Sequence, residues 1–243
     1  MTEFSRRLAI FAAVLAALMI LGCAAVQDFD YKPILDGVTG GELDEATVLA
    51  GLKDALTVGT SNTVTRTSAV DGYLGNDLIR ISLPDKLQEP ASTLRSVGLG
   101  SYVDEFEVAM NRAAEQAAGE ARDIFWDAVT AMTIQDAFGI LNGADTAATD
   151  YFRIRTEADL RSKFLPIVTE KTTSVGLGSL YAHFSGAYET LPLTSKPDLI
   201  DLDAYVTDQA LQGLYSELAL EEQAIRHDPA ARTTELLRRV FGQ

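Results

Sequence analysis

Apolar residues recur at spacings of three and four along most of this chain, which is the pattern of amphipathic helices. Leu49, Leu52 and Leu56 fall on one face of a helix that we expect to begin near Asp44. A longer stripe predicts the longest helix, which starts at Ser101 and carries Val103, Phe106, Met110, Ala113, Ala117, Ala121, Ile124 and Ala128. The many alanines of this stripe allow a neighbouring helix to approach closely.

Capping residues indicate where other helices begin and end. Ser101 with Asp104, Thr133 with Asp136 and Thr156 with Asp159 have the spacing of an acidic capping box. Gly98 suits the left-handed position that follows a helix, and Asn142-Gly143 stops a short helix before Asp145 starts another. Residues 204–226 have the pattern of a further long helix, with Asp201 as its N-cap.

Two segments lack the helical period. Residues 57–75 are rich in Thr and Ser and are predicted to form a polar connection. Residues 75–84 alternate like a short strand, but no second strand is predicted to pair with them, so we interpret them as an extended segment before a helix with Pro84 in its first turn. The sequence therefore predicts an all-α fold, a single compact bundle of about eight or nine helices.

Trp126 lies opposite the apolar stripe of the predicted long helix. Either this part of the helix packs on two sides, or it exposes an aromatic ring to solvent. We expect two-sided packing, because a large apolar side chain is usually mostly buried.

The first residues have the features of a bacterial export signal. Arg6 and Arg7 are followed by an uncharged apolar run and by Ile20-Leu21-Gly22-Cys23, which resembles a lipobox. We therefore predict a lipoprotein signal peptide over 1–22, a lipidated Cys23 with a flexible tether over 23–42, and the all-α domain over 43–243. Two alternatives remain: the run is long enough for an uncleaved membrane anchor of about 20 residues, and the paired arginines also fit twin-arginine export.

Lipidation at Cys23 predicts that the protein's partner is a membrane, to which acyl chains attach it. Two or more acyl chains such as palmitate give stable attachment, at about 0.8 kcal/mol per buried methylene. Ala24, rather than Asp, follows the cysteine, which favours the outer membrane with the domain facing the periplasm. The net charge of −15 argues against nucleic acid and anionic headgroups as partners.

Few residues suit catalysis, metal binding or cofactor binding, and we predict no cofactor and no metal site. His183 and His227 lack a helical two-ligand spacing, and no nucleophile elbow or phosphate loop is present. Asp198, Asp201 and Asp203 are candidate hard ligands for a cation, but a helix N-cap at Asp201 is the simpler explanation of this cluster.

A polar cluster is the best candidate for a binding cleft. It contains amide, carboxylate and guanidinium groups that a helical fold can bring together. Its residues are Asn76, Arg80, Asn111, Arg112, Glu115, Asn142 and Asp145. The alternative is that these groups satisfy backbone atoms in loops and caps.

Several short segments resemble an uncharacterised bacterial family, the domain of unknown function DUF4197. They include residues 51–56 with Gly59, 75–76 with 79–81 and 83–84, 110–115, 132–133, 140–143, 147–149 with 151–152, 163–166, and 231–234. Asp77 and Gly119 depart from the pattern, since proline is expected at both positions. The resemblance implies an exported α-helical protein and brings no assigned activity.

Three functions fit these features. The first is a binding or scaffolding module in the periplasm, recognising a protein or an apolar small molecule. The second is a structural envelope component, and the third is an envelope hydrolase that works with paired carboxylates. The scarcity of catalytic groups favours the first.

Overall fold

The structure, a computed structural model, describes residues 44–174 and 201–228, most of which are helical. These ranges contain no strand, so the predicted all-α fold is confirmed, whereas the predicted number of helices is not. The helices are α1 (Glu45–Thr67), α2 (Asp85–Ser96), α3 (Gly100–Ala118), α4 (Ala121–Thr130), α5 (Ile134–Leu141), α6 (Ala147–Ser174) and α7 (Leu202–His227).

Helix α1 is longer than the sequence pattern predicts. It begins as expected after Asp44, whose carboxylate accepts a hydrogen bond from the backbone N–H of Thr47. It then continues through the predicted polar connection to Thr67, because its threonine hydroxyls donate back to carbonyls one turn earlier instead of needing solvent. Thr60, Thr63 and Thr67 are buried, and these hydrogen bonds satisfy their hydroxyl groups.

The predicted long helix from Ser101 is in fact two helices. The apolar stripe is buried as expected, but α3 ends at Ala118 and α4 begins at Ala121, with Gly119 between them. The predicted capping box at Ser101 is also wrong, since Leu99 is the N-cap residue and Asp104 instead pairs with Arg95 at 2.6 Å. Among the described helices the longest is α6, with 28 residues.

Two other predicted helix starts have different outcomes. The capping box of Thr133 and Asp136 is present at the start of α5. Thr156 is not a cap but an interior residue of α6, where its hydroxyl donates to Phe152 O and lies 2.9 Å from the Tyr215 hydroxyl. Thr156 is thus buried between α6 and α7, whereas a capping residue would lie at the end of a helix.

The core lies where α1, α3, α6 and α7 pack together, and α2, α4 and α5 cover its edges. Alanines on α3 are buried against neighbouring helices, as the stripe predicts. Phe125 of α4 packs edge-on against Phe152 of α6, with ring centroids 5.2 Å apart. This packing fixes one face of α4 in the core and leaves its opposite face at the surface.

Gly213 of α7 lies against the buried ring of Tyr73. An added Cβ would lie 2.6 Å from Tyr73 Cε1 and 3.1 Å from Ile79 Cβ. We expect Gly213→Ala to lower the free energy of unfolding by about 1–3 kcal/mol through overpacking. Gly139→Ala is the matched control, because it has open space around it and should stabilise α5 by up to about 1 kcal/mol. Urea unfolding of both variants checks this, and equal destabilisation would contradict the packing argument.

Candidate functional site

The predicted polar cluster is divided between two places in the structure. Asn76, Arg80, Asn111, Arg112 and Glu115 lie along the connection between α1 and α2, residues 68–84, which we call the α1–α2 connection. Asn142 and Asp145 lie instead around the α5–α6 junction.

Asn111 holds the extended part of the α1–α2 connection against α3. Its side chain is fully buried, and its Oδ1 accepts from Ile81 N at 2.8 Å while its Nδ2 donates to Ile81 O at 2.8 Å. The same Nδ2 donates to Glu107 O within α3. The amide therefore substitutes for a strand partner that Ile81 lacks.

Glu115 holds the first part of the same connection. Its Oε1 accepts from the backbone N–H groups of Tyr73 and Leu74 at 3.2 and 3.1 Å. Its Oε2 accepts from Arg112 Nη1 at 2.6 Å, and Arg112 Nη2 donates to Asp71 at 2.7 Å. The hydrogen bonds to Glu115 and then Asp71 raise the pKa of the Arg112 guanidinium, so both carboxylates stay paired with a fixed positive charge.

The remaining members of this group also bind the protein itself. Asn76 Nδ2 donates to Glu217 of α7 at 2.8 Å, and Arg80 pairs with Glu107 at 3.4 Å. Tyr73 is fully buried, its hydroxyl donates to Ala210 O, and burial raises its pKa well above the ordinary value. These contacts support the alternative interpretation, in which the polar groups hold a loop against α3 and α7.

The α5–α6 junction contains the other two predicted residues. Asn142 donates to Phe138 O at the end of α5, and Asp145 lies 3.1 Å from His227 Nε2. Just after them in the chain, the backbone N–H groups of Ala148 and Thr149, in the first turn of α6, donate to the buried Glu222 of α7. These groups likewise fasten helices to each other.

The candidate hard ligands do not form a metal site in the described ranges. Asp201 is the N-cap of α7, as predicted, and Asp203 accepts from the hydroxyls of Thr169 and Thr172. Asp198, His183 and Cys23 lie outside the described residues. Over residues 44–174 and 201–228, no group of His, Cys, Asp and Glu side chains is arranged to hold a metal ion.

A cleft of about 380 Å³ lies between α1 and α4, and it was not predicted. We call it the Trp126 cleft. The α4 side contributes Arg122, Asp123 and Trp126, and the α1 side contributes hydroxyl groups. The residues on the α1 side are Thr57, Thr60 and Ser61. Trp126 is 57% exposed, so the expected two-sided packing is wrong.

Four polar groups of the Trp126 cleft make no side-chain interaction with the described residues. In the part of the chain that the structure describes, Ser61, Arg122, Asp123 and the Trp126 indole have no hydrogen-bond, ion-pair or cation–π partner among the side chains. Every other arginine of that part has a carboxylate or an aromatic partner: Arg66, Arg80, Arg95, Arg112, Arg153, Arg155, Arg161 and Arg226. Arg122 is thus unusual in being unpaired.

One sequence signal pointed to this cleft. Trp126 falls on the face of α4 opposite the buried Phe125, Ala128 and Val129, so its exposure was one of the two alternatives for a tryptophan opposite the stripe. Its neighbours on α1 gave no signal, because their segment was interpreted as a connection and not as a helix.

Among the described helices, none has the length and apolar character needed to cross a membrane.

Comparison with known proteins identifies a family and no activity. The family model described as "Protein of unknown function (DUF4197)" matches residues 42–242, which is most of the chain. The resemblance noted in the sequence is therefore confirmed. No curated protein and no solved structure matches the chain.

Proposed function

The chain belongs to the DUF4197 family, whose description assigns no activity, and we propose that it is a lipid-anchored binding module of the bacterial periplasm. The observation that carries this proposal is the Trp126 cleft, in which an exposed indole lies beside an unpaired Arg122 and an unpaired Asp123. In this proposal the helical domain holds the cleft rigidly, and the lipid on Cys23 keeps it at the membrane.

The composition of the cleft fits recognition. Residues that contribute most to protein interfaces are enriched in Trp, Tyr and Arg, because these side chains combine large contact area with directed hydrogen bonds. A volume of about 380 Å³ also falls within the range of about 300–1,000 Å³ that is usual for small-molecule sites. Trp126 and Arg122 thus supply both apolar area and a donor group that the domain does not use for its own stability.

The proposed location depends on the sequence alone. The segment Ile20-Leu21-Gly22-Cys23 supports cleavage before Cys23 and acylation of its thiol, and Ala24 supports the outer membrane. A lipid anchor suits a binding module, since it confines the domain to the membrane surface without using any of the protein's own surface.

The contacts of the buried carboxylates favour binding over the hydrolase alternative. Paired catalytic acids need to reach a substrate. Glu115, Glu217 and Glu222 are buried in the described part, and each accepts hydrogen bonds from the protein itself. None of the three lines the Trp126 cleft.

Native mass spectrometry of the full chain, extracted from its host membranes in mild detergent, tests the proposal. We expect acyl chains on Cys23 and a population carrying a bound ligand or partner. Trp126→Ala is expected to reduce that population at least tenfold, since a truncated interface hot spot costs about 2 kcal/mol or more.

The matched control is Ile154→Ala, which removes a more exposed apolar side chain, on α6. It should leave the bound population unchanged. An unmodified Cys23 would contradict the lipid anchor, and a bound population that does not depend on Trp126 would contradict the proposed site.

A further inference from the structure

We propose that the Trp126 cleft binds an apolar–basic segment of a partner protein, in an extended conformation. This inference rests on the proposed function and specifies the chemistry of the occupant. It follows from the charges on α4, the hydroxyl groups of α1 and the overall charge of the chain.

The two sides of Trp126 on α4 differ in charge. Arg122 and Asp123 precede Trp126 by four and three positions, so they lie on the same side of the helix as the indole. Asp127 follows Asp123 by one helical turn and is also exposed, without a side-chain partner in the described part. Asp123 and Asp127 thus place two unneutralised carboxylates along one edge of the indole.

This acidic edge favours a cationic group in the occupant. A Lys or Arg side chain would pair with Asp123 or Asp127, and it would also gain from lying over the face of the indole. The net charge of −15 acts in the same direction, because it attracts a basic partner and repels an anionic one. An apolar small molecule would leave these charges without partners.

The other groups of the cleft match a peptide backbone. The hydroxyl of Thr57, which is only partly buried, donates to Lys53 O, so its oxygen is left to accept from a ligand N–H. Arg122 has donors and needs acceptors, which backbone carbonyl groups provide. An extended peptide offers N–H and C=O groups together, and an apolar side chain next to its cation would cover Trp126.

The fluorescence of Trp126 tests this directly, because the chain contains a single tryptophan. The probe is the capped peptide acetyl-Lys-Phe-Lys-amide, titrated into the full-length protein. We expect a saturable change in Trp126 emission that weakens as salt is added, since exposed charges are screened. Asp123→Asn combined with Asp127→Asn is expected to lower the affinity about tenfold, because each exposed charge pair contributes about threefold to the affinity.

Controls separate local recognition from general attraction. Glu89→Gln combined with Glu105→Gln removes the same charge from exposed positions on α2 and α3, and it should lower the affinity less than twofold. The peptides acetyl-Glu-Phe-Glu-amide and acetyl-Ala-Phe-Ala-amide should bind at least fivefold more weakly than the lysine peptide.

Three results would overturn the inference: no saturable response to the lysine peptide at millimolar concentration, equal binding of the glutamate peptide, or equal loss in the control variant. The proposed function fails separately, if membrane-extracted protein carries no occupant that depends on Trp126.

Discussion

Glu222→Ala is expected to lower the free energy of unfolding by about 3–5 kcal/mol, as breaking a buried ion pair generally does. Glu222 Oε1 accepts from Ala148 N at 2.9 Å and pairs with Arg226 at 2.8 Å, and its Oε2 accepts from the backbone and hydroxyl of Thr149. Truncation removes the acceptor of two N–H groups at the start of α6 and the carboxylate beside Arg226, which keeps its hydrogen bond to Ile140 O. Because whole domains are stable by about 5–15 kcal/mol, this is a large part of the total.

Urea unfolding followed by circular dichroism measures the effect. Glu157→Ala is a suitable control, because the Glu157 carboxylate is 45% exposed and lies as far as 4.0 Å from Arg161. This substitution should lower the free energy of unfolding by less than about 1 kcal/mol. Glu222→Gln keeps the shape and one acceptor oxygen, and its cost should fall between the two. Equal stability of the Glu222→Ala and Glu157→Ala variants would show that Glu222 does not hold α6 to α7.

Glu115→Ala is expected to cost about 2–5 kcal/mol and to release the α1–α2 connection. It removes the acceptor for Tyr73 N and Leu74 N, and each buried donor left unsatisfied costs about 1–3 kcal/mol. It also takes from Arg112 the carboxylate at 2.6 Å. Hydrogen exchange should accelerate at Tyr73 and Leu74 before the helices themselves open.

Glu107→Ala, also on α3, is the control for this variant. Glu107 pairs only loosely with Arg80, at 3.4 Å, and we expect a cost below about 1 kcal/mol. If Glu115→Ala left the amide protection of Tyr73 and Leu74 unchanged, the connection would be held by other contacts, such as Asn111 with Ile81.

Local patterns predicted the helical faces but not the lengths of the helices. The stripe from Val103 to Ala128 correctly identified buried positions, because a periodic apolar face has to be covered by other elements. The pattern could not reveal the break at Gly119, since both halves of the stripe keep the same period. Likewise Thr60 and Thr63 are typical of loops, and only burial against other helices keeps their hydroxyls bonded to α1.

The candidate site illustrates the same difference. The sequence singled out Asn111 and Glu115 because their groups are polar, but they bind backbone atoms of the α1–α2 connection, 30 to 42 positions earlier in the chain. The Trp126 cleft depends on how α1 lies beside α4, which no local pattern specifies. Arg122 stands out beside the exposed Trp126 because every other arginine of the described part has a carboxylate or an aromatic partner, and these partners are seen only in the folded structure.

Photo-crosslinking in living cells tests the central claim, that the Trp126 cleft is the binding site, most directly. A photo-crosslinking amino acid replaces Ser61 in the cleft or, as a control, the exposed Ser92 on α2. We expect one discrete adduct from position 61, none from position 92, and loss of that adduct when Trp126→Ala is added. Equal products from both positions, or an adduct that survives Trp126→Ala, would contradict the assignment of this cleft.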